Sequence, residues 1–318
     1  EPSVVAVKPG TNKVLLNGNA VGNVAKAMLG KAPSSISVIR PLKNGVIADF
    51  DITETMLKYF ITKVHKRKWG VRPRILIAIP SGITAVEKRA VVNSAERAGA
   101  REVYLVEEPM AAAIGVRLPV QEAVGSMIVD IGGGTTDIAV ISLGGIVTSK
   151  NLRIAGDKFN EDIIRFARDE FKLLLGERTA EDIKIAIGSS HELPEPMEAP
   201  MRGRDLVTGL PKEIVVDDAD IRRAMRHSIN ILVNAIKATV EETPPELVAD
   251  IMHRGIILVG GGSLLRGLDT LIGEETKIPV RVAEDPLTAV VRGTGIILED
   301  ADSLKEVLVS TDFEKVPT

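Results

Sequence analysis

Apolar runs separated by turn signals predict strands and helices that alternate along most of the chain. Ile75–Ile79 and Val103–Val106 are short apolar runs typical of buried strands, and a capping box, Thr84-x-x-Glu87, predicts that a helix begins between them. Ile52–Val64 carries apolar residues at helical spacing. This alternation predicts a parallel or mixed sheet flanked by helices.

Further elements precede and follow this pattern. The first 50 residues predict a small α+β unit with strands at Val4–Val7 and Lys13–Leu16 and a helix over Val21–Leu29. The second half predicts a helix that begins near Gly156 and two further helices with Thr179 and Asp217 as their caps. It also predicts a loop over 188–203, a hairpin of Asp205–Thr208 with Glu213–Val216, and a strand at Gly255–Val259. The helix after that strand would turn its leucines inward, namely Leu264, Leu265, Leu268 and Leu271.

One glycine-rich stretch, Asp130–Asp137, joins two apolar strands in the middle of the chain. Glycine lacks a Cβ, so Gly132–Gly134 allow the backbone to approach a ligand closely. Consecutive exposed N–H groups in such a turn bind anions, and the hydroxyls of Thr135 and Thr136 can add hydrogen bonds to phosphate. The stretch predicts a phosphate-binding turn, with a plain glycine hairpin between core strands as the alternative.

Composition narrows the function classes. A length of 318 residues exceeds what one hydrophobic core usually serves, so we expect two domains. The net charge of -3 argues against nucleic-acid binding, and the lack of cysteine excludes disulfides. No apolar run reaches the roughly 18 residues typical of a membrane span.

The single tryptophan, Trp69, lies in a basic loop, His65–Pro73. Two interpretations stay open. Trp69 can fold back onto its domain, as large aromatic side chains usually do. Alternatively, the loop contacts a membrane surface, because cations attract anionic headgroups and an indole favours the interface.

Several stretches resemble the characteristic segments of the actin-like ATPases, the superfamily of actin, the seventy-kilodalton heat-shock chaperones and the sugar kinases. The central turn resembles their second phosphate loop, and Glu107–Ala113 resembles the acidic segment that connects the two halves. Leu258–Ser263 resembles the adenosine motif, and Gly176–Lys184 resembles the adenine-side segment. Within the superfamily, Arg40–Asp49 and Thr243–Leu247 are similar to the MreB family of bacterial actin homologues.

The resemblance implies an α/β fold of two lobes, each with a mixed sheet flanked by helices (ribonuclease H-like), and smaller α+β subdomains. Lobe I would comprise residues 1–122 and about 286–318, with subdomain IB over about 6–50. Lobe II would comprise residues 123–285, with subdomain IIB over about 159–225. The superfamily begins with an Asp-x-Gly-Thr turn that the chain does not match, so we expect that the first N-terminal strands are missing from the sequence.

The resemblance implies ATP as ligand and Mg²⁺ as its cofactor. The implied nucleotide-binding residues are Gly132, Gly133, Gly134, Thr135 and Thr136 for the phosphates, Gly260, Gly261, Gly262, Ser263 and Leu264 for adenosine, and Glu181 and Lys184 for adenine and ribose. From the residues alone, the second glycine-rich turn, Gly260–Gly262, is explained equally well as a simple connection between a strand and a helix. Glu181 and Lys184 are equally an i,i+3 surface pair.

Two acidic residues carry the implied chemistry. Asp130 would bind Mg²⁺ through water, which would also explain a carboxylate at the end of a buried strand. Glu108 would orient the attacking water, with Glu107 as the second choice. From the residues alone, Glu107 and Glu108 are explained as a solvated acidic pair at the start of a helix, where the helix dipole favours negative charge.

The implied function is a cytoskeletal ATPase that directs rod cell shape and cell-wall elongation. It would polymerise head to tail into paired protofilaments, in the cytoplasm at the inner face of the cell membrane, with Trp69 and Val71 as membrane contacts and cell-wall elongation proteins as partners. A sugar or acetate kinase of the same fold is the alternative, although no polar cluster suits a metabolite. A chaperone nucleotide domain is a third class.

Overall fold

The computed structural model describes residues 1–43, 45–65, 72–300 and 303–310. The chain divides into two compact units. Unit 1 contains Glu1–Ile79, Ile83–Val106 and the chain from Leu308, and unit 2 contains Pro80–Gly82 and Glu107–Val307. The predicted α/β class is confirmed, because sheets and helices alternate along the chain. The predicted bounds of the two lobes stay a prediction.

Unit 1 contains short strands and four helices within its described part. Its elements are β1 (Val5–Val7), α1 (Leu15–Gly18), α2 (Asn23–Met28), β2 (Ser37–Ile39), β3 (Leu42–Lys43), β4 (Val46–Ile47), α3 (Phe50–His65), β5 (Arg74–Ile79), α4 (Ala85–Arg97), β6 (Glu102–Glu107) and, near the end of the chain, β15 (Leu308–Val309).

Two apolar clusters hold unit 1 together. β1 pairs antiparallel with β2 and packs with Ile52 and Met56 of α3. β15, β6 and β5 form a three-stranded sheet that packs against α4. The capping box of α4 is confirmed, since the Thr84 hydroxyl accepts from the Glu87 N–H over 3.2 Å and the Glu87 carboxylate accepts from the Thr84 N–H over 2.8 Å.

Unit 2 contains the longer elements. They are α5 (Glu108–Gly115), β7 (Ser126–Ile131), β8 (Thr136–Ser142), β9 (Gly145–Leu152), α6 (Gly156–Phe171), β10 (Leu173–Leu174), α7 (Glu177–Ile187), β11 (Glu198–Asp205), β12 (Pro211–Asp217), α8 (Asp218–Glu241), α9 (Pro245–Arg254), β13 (Ile256–Val259), α10 (Leu268–Thr276), β14 (Val280–Val282) and α11 (Ala289–Glu299).

A mixed five-stranded sheet, in the order β14-β13-β7-β8-β9, is the centre of unit 2. β14, β13 and β7 run parallel, whereas β7, β8 and β9 are antiparallel. Met127, Val129 and Ile131 of β7 belong to a core shared with α6 and α8. Strand alternation therefore turns Ile128 and Asp130 to the opposite face.

A smaller three-stranded sheet, β10-β11-β12, also belongs to unit 2. The prediction for this hairpin was wrong by several residues, because the predicted loop over 188–203 includes most of β11. The predicted strand Asp205–Thr208 is the turn of the hairpin instead. The Asp205 carboxylate accepts from the N–H groups of Val207 (2.7 Å) and Thr208 (3.3 Å), which stabilises a turn at this point.

Three other local predictions were wrong. Lys13–Leu16 is not a strand, because Leu16 and Asn17 have φ values of 52° and 54° and form a left-handed turn. Thr179 does not cap a helix, since α7 has already begun at Glu177. Leu264 does not face the core: its side chain is 55% exposed at the end of a 3₁₀ turn, Gly261–Leu264.

Candidate functional site

The turn between β7 and β8 is closed by its own backbone and lies against the start of α6. The Gly132 N–H donates to the Thr135 carbonyl over 2.9 Å. The carbonyls of Gly132 and Gly133 accept from the N–H groups of Gly156 (3.2 Å) and Asp157 (2.8 Å). The first turn of α6 therefore fixes the position of the glycine-rich turn.

Three successive amides in this turn have no hydrogen-bond acceptor within the described part of the chain. Across the residues that the structure describes, the N–H groups of Gly133, Gly134 and Thr135 donate no hydrogen bond. Gly133 is exposed, and Gly134 is partly exposed. A row of successive free amides is the arrangement that binds phosphate in glycine-rich turns.

The two threonines of the predicted site have different surroundings. Thr135 ends the turn. Thr136 is the first residue of β8, its side chain is fully buried, and its hydroxyl donates to the Ile154 carbonyl over 2.7 Å. The Thr136 hydroxyl thus holds the chain after β9, so Thr135 is the threonine that lies within the turn.

Three carboxyl groups lie beside the turn, on the face of the sheet opposite to the α6 core. Asp130 of β7 and Asp137 of β8 are directly paired in the antiparallel ladder. Asp137 accepts from the Ser81 N–H (2.8 Å) and from the Asn151 side chain (2.9 Å). The third carboxyl belongs to Glu108, the first residue of α5.

Burial and mutual repulsion raise the pKa of all three carboxyl groups. Burial raises the pKa of Glu108 to about 8, and the charges of Asp137 and Asp130 add to the shift. Burial, with the charge of Asp137, raises the pKa of Asp130 to about 7. Burial raises the pKa of Asp137 to about 6, although hydrogen bonds from Ser81 and Asn151 oppose the shift. The group therefore concentrates negative charge that a cation would neutralise.

The second glycine-rich turn leaves β13 beside the first. β13 and β7 are parallel, and Val259 lies opposite Asp130, so both turns emerge at one edge of the sheet. Gly260 has a φ of 79°, and a Cβ on Gly260 would overlap the Asp130 carboxylate. A Cβ on Gly262 would overlap the Ile131 side chain. These two glycines are required by close packing on β7.

The other residues predicted to contact adenosine differ in how exposed they are to a ligand. A Cβ on Gly261 would meet only the end of the Leu287 side chain, at 3.2 Å, and Leu264 is exposed. Ser263 is buried, and its hydroxyl donates to the Gly260 carbonyl over 2.7 Å. Gly261 and Leu264 are therefore open to a ligand, whereas Ser263 stabilises the turn.

Lys184 connects α7 to the phosphate turn. Its ammonium group donates to the Gly156 carbonyl over 2.8 Å. Gly156 also donates to the Gly132 carbonyl, so one residue links Lys184 with the glycine-rich turn. Glu181 lies one turn earlier on the same helix and is partly exposed. The structure thus brings α7 to the same region as the two turns.

Sequence reasoning missed two contributors to the site. Asp137 was assigned only to a strand, although pairing residues 131 and 136 across a four-residue turn places Asp130 and Asp137 opposite each other. Ser81 lies 56 residues from Asp137 in sequence, and no sequence pattern predicts that contact. The predicted membrane contacts, Trp69 and Val71, lie outside the described residues.

The described residues lack both a preformed cluster of metal ligands and a membrane-spanning helix. They contain no group of three or more His, Cys, Asp or Glu side chains arranged to hold a metal ion. Within the same residues, every helix is too short or too polar to cross a membrane.

Comparisons with known proteins agree on one family. A family model described as MreB/Mbl protein matches residues 1–306. The cell shape-determining protein Mbl of Bacillus subtilis (strain 168) is 51% identical over 304 residues, covering 96% of this chain and 90% of that protein. The cell shape-determining protein MreB of Escherichia coli (strain K12) is 52% identical over 303 residues, covering 95% of this chain and 87% of that protein.

Solved structures match the fold equally well. The crystal structure of MreB5 of Spiroplasma citri bound to ADP has a TM-score of 0.90 and 36% identity, and the match covers 96% of this chain and 91% of that chain. A crystal structure of the same protein bound to AMPPNP matches with the same values. The match confirms the expected actin-like fold.

Proposed function

Because the chain belongs to the MreB/Mbl family, we propose that it is a cytoskeletal actin-like ATPase that forms filaments and directs rod cell shape and cell-wall elongation. One observation supports the proposed ATPase activity above the others. The N–H groups of Gly133, Gly134 and Thr135 have no acceptor among the described residues, and they lie beside the buried Asp130. The names of the curated relatives support the cellular role. The ADP and AMPPNP bound to MreB5 support the nucleotide.

The proposed nucleotide site spans both glycine-rich turns. The amides of Gly133, Gly134 and Thr135, with the Thr135 hydroxyl, bind the β- and γ-phosphates. Gly132 closes the turn through its N–H bond to the Thr135 carbonyl, and Thr136 holds the turn in place. Gly261 and Leu264 contact adenosine, while Gly260, Gly262 and Ser263 shape the turn around it. Glu181 and Lys184 flank adenine and ribose.

A divalent cation suits the charge of the site. Three carboxyl groups with raised pKa values lie close together, so their combined negative charge favours a bound cation. We propose Mg²⁺ as the cation and Asp130 as the residue that holds it through water, since magnesium usually keeps several waters and uses one or two carboxylates. When bound, the cation neutralises charge on the phosphates.

Glu108 is the proposed catalytic residue. It begins α5 beside Asp130 and Asp137, where its carboxylate, which a bound cation would help to keep ionised, accepts a hydrogen bond from the attacking water and orients it. Positioning of this kind dominates phosphoryl transfer, in which the protein does little covalent chemistry. Glu107 accepts from the Ser81 hydroxyl over 3.3 Å, which supports a structural role for the second glutamate.

Hydrolysis would time filament assembly. We propose lobes of residues 1–122 with 286–318 and of residues 123–285, which hold nucleotide between them and make head-to-tail contacts with further copies. Heterologous contacts that do not close into a ring produce filaments. Paired protofilaments, contact with cell-wall elongation proteins and a cytoplasmic location at the inner face of the membrane belong to the same proposal.

Membrane attachment is proposed from sequence alone. Trp69 and Val71 lie in a basic segment, and an indole among cations favours an anionic membrane surface. A Trp69→Ala, Val71→Ala variant should lose sedimentation with anionic liposomes and keep filament formation in solution. Full sedimentation of this variant would refute the attachment.

The central experiment combines electron microscopy with phosphate release. We expect filaments with ATP and Mg²⁺, phosphate release that follows assembly, and alignment on lipid. Absence of both filaments and hydrolysis, in protein that binds no AMPPNP, would refute the proposed function. The kinase alternative is not favoured, and ATP-dependent phosphorylation of a sugar or acetate would be needed to revive it.

A further inference from the structure

A basic groove lies in unit 2 at the amino-terminal ends of β7 and β13, whereas the glycine-rich turns lie at their carboxyl ends. One cavity of about 660 Å³ and a second of about 140 Å³ share Arg117, Ile257 and Arg281 in their walls. Arg292 borders the larger cavity, and Arg254 borders the smaller one. We call these two joined cavities the arginine groove.

The charges of the arginine groove are unbalanced. Four arginines line it, and Glu284 is the one carboxylate among its described lining residues. Within residues 1–43, 45–65, 72–300 and 303–310, the side chains of Arg117, Arg254 and Arg281 make neither a hydrogen bond nor an ion pair.

A buried hydroxyl provides a second, independent observation. Ser126, at the start of β7, is 2% exposed and borders the smaller cavity. Among the described residues its Oγ has no hydrogen-bond partner. A buried polar group without a partner destabilises the folded protein, so such groups usually have a ligand or water.

The backbone at Arg117 is also unusual. Arg117 follows the C-terminus of α5 with a φ of 60°, a left-handed conformation that is uncommon for residues other than glycine, asparagine and aspartate. The residue with this conformation, Arg117, lies in the wall that both cavities share.

We propose that the arginine groove binds a small anion that carries two or more phosphate groups. Guanidinium groups bind phosphate oxygens through paired, charge-assisted hydrogen bonds. The guanidinium groups of Arg117, Arg254 and Arg281 have no acceptor among the described residues, so their N–H groups can bind an anion. Ser126 lines the smaller cavity, and its hydroxyl has no partner among the described residues. The volume of the larger cavity lies in the range of small-molecule sites.

Pyrophosphate is the probe for this site. The binding of pyrophosphate to the full chain is measured by calorimetry, with one equivalent of AMPPNP and Mg²⁺, so that the nucleotide site is occupied and no free triphosphate competes for the arginine groove. Arg117→Gln, Arg281→Gln protein is compared with an Arg101→Gln, Arg168→Gln control, which removes the same charge from exposed side chains elsewhere. A second arm uses vesicles with phosphatidylglycerol, to distinguish a lipid headgroup from a soluble phosphate.

We expect the groove variant to bind pyrophosphate at least tenfold more weakly than the wild type and the control variant to remain within threefold. Ser126→Ala should weaken binding several-fold without lowering stability, because the hydroxyl has no partner to lose. Groove-dependent binding to vesicles without binding of pyrophosphate would overturn the proposal of a small anion with two or more phosphates. Equal affinity of wild type and groove variant in both arms, or no binding in either, would overturn the proposal, whatever the result for ATP.

Discussion

Asp130 on β7 and Asp137 on β8 lie directly opposite each other in the antiparallel ladder, and both are buried. Side chains in such positions have Cβ atoms about 4.5–5.5 Å apart, and like charges there destabilise a sheet. A shift of register cannot separate the two carboxylates. The next pair, Val129 and Ile138, belongs to the core on the other face of the sheet, and a one-residue shift would remove a side chain from that core. A proton or a bound cation is therefore required to stabilise this part of the sheet.

This arrangement predicts that the protein without nucleotide or magnesium loses stability as the pH rises. The pKa values of Asp137 (about 6), Asp130 (about 7) and Glu108 (about 8) are raised above their ordinary values near 4. Between pH 4 and 8 the folded protein therefore binds more protons than the unfolded chain, and the free energy of unfolding falls with rising pH. Each group contributes at most about 1.4 kcal/mol per pH unit. Urea denaturation from pH 5 to 8 measures the slope.

Asp137→Asn provides the matched test of that slope. The substitution removes one titrating group and lowers the pKa of Glu108 and Asp130, so the pH dependence should become flatter and stability at pH 8 should rise. Asp169→Asn, at an exposed position on α6, removes the same charge and should leave the slope unchanged. An equal slope in wild type and Asp137→Asn would show that these carboxyls do not control stability.

Glu108→Gln should slow phosphate release by about 10²–10⁴-fold, the usual contribution of a positioned acid–base group. AMPPNP affinity should stay within a few-fold, because no phosphate contact is lost. Single-turnover phosphate release, with AMPPNP binding measured separately, distinguishes these effects. Filaments of the variant in ATP should persist longer than those of the wild type.

Glu107→Gln is the control for this assignment. The Glu107 carboxylate accepts from Ser81, and we expect its loss to reduce phosphate release less than tenfold. A larger effect for Glu107→Gln than for Glu108→Gln would transfer the catalytic role to Glu107.

The elements that sequence predicted best are those with a strong local signal. Thr84 and Glu87 form the expected capping box, and the Asp217 side chain accepts from the Asp220 N–H at the start of α8, as predicted. Local side-chain chemistry determines these boundaries. By contrast, the polar alternation of β11 contains Pro200 and Gly203, and its strand geometry depends on pairing with β12.

The site was predictable only where it is continuous in sequence. The turn after Asp130 and the turn after Val259 were recognised from their glycines, and their proximity follows from the parallel pairing of β7 with β13. The contact of Ser81 with Asp137 depends on tertiary structure. The arginine groove also depends on tertiary structure, because its lining comes from five separate segments of the chain.

Gly260→Ala should destabilise the protein by about 2–4 kcal/mol, because the new Cβ overlaps the Asp130 carboxylate and the residue keeps a φ of 79°. Gly261→Ala meets only the Leu287 side chain, so its stability should change by less than about 1 kcal/mol. If Gly261 contacts adenosine, this second variant should instead lose nucleotide affinity. Urea denaturation and AMPPNP titration separate the two effects, and equal instability of both variants would contradict the packing argument.

Gly293→Ala should disturb the contact between α11 and α5. A Cβ on Gly293 would overlap the Ala111 carbonyl, and a Cβ on Gly115 would overlap the Ala289 carbonyl, so the two helices touch through their backbones. We expect a loss of about 1–3 kcal/mol from this overpacking. Because α5 begins with Glu108, a displaced helix should also slow phosphate release. Gly295→Ala, in the same helix with open space around it, should gain up to about 1 kcal/mol from helix propensity. Equal stability changes in both variants, measured by urea denaturation, would mean that the helices can separate without cost.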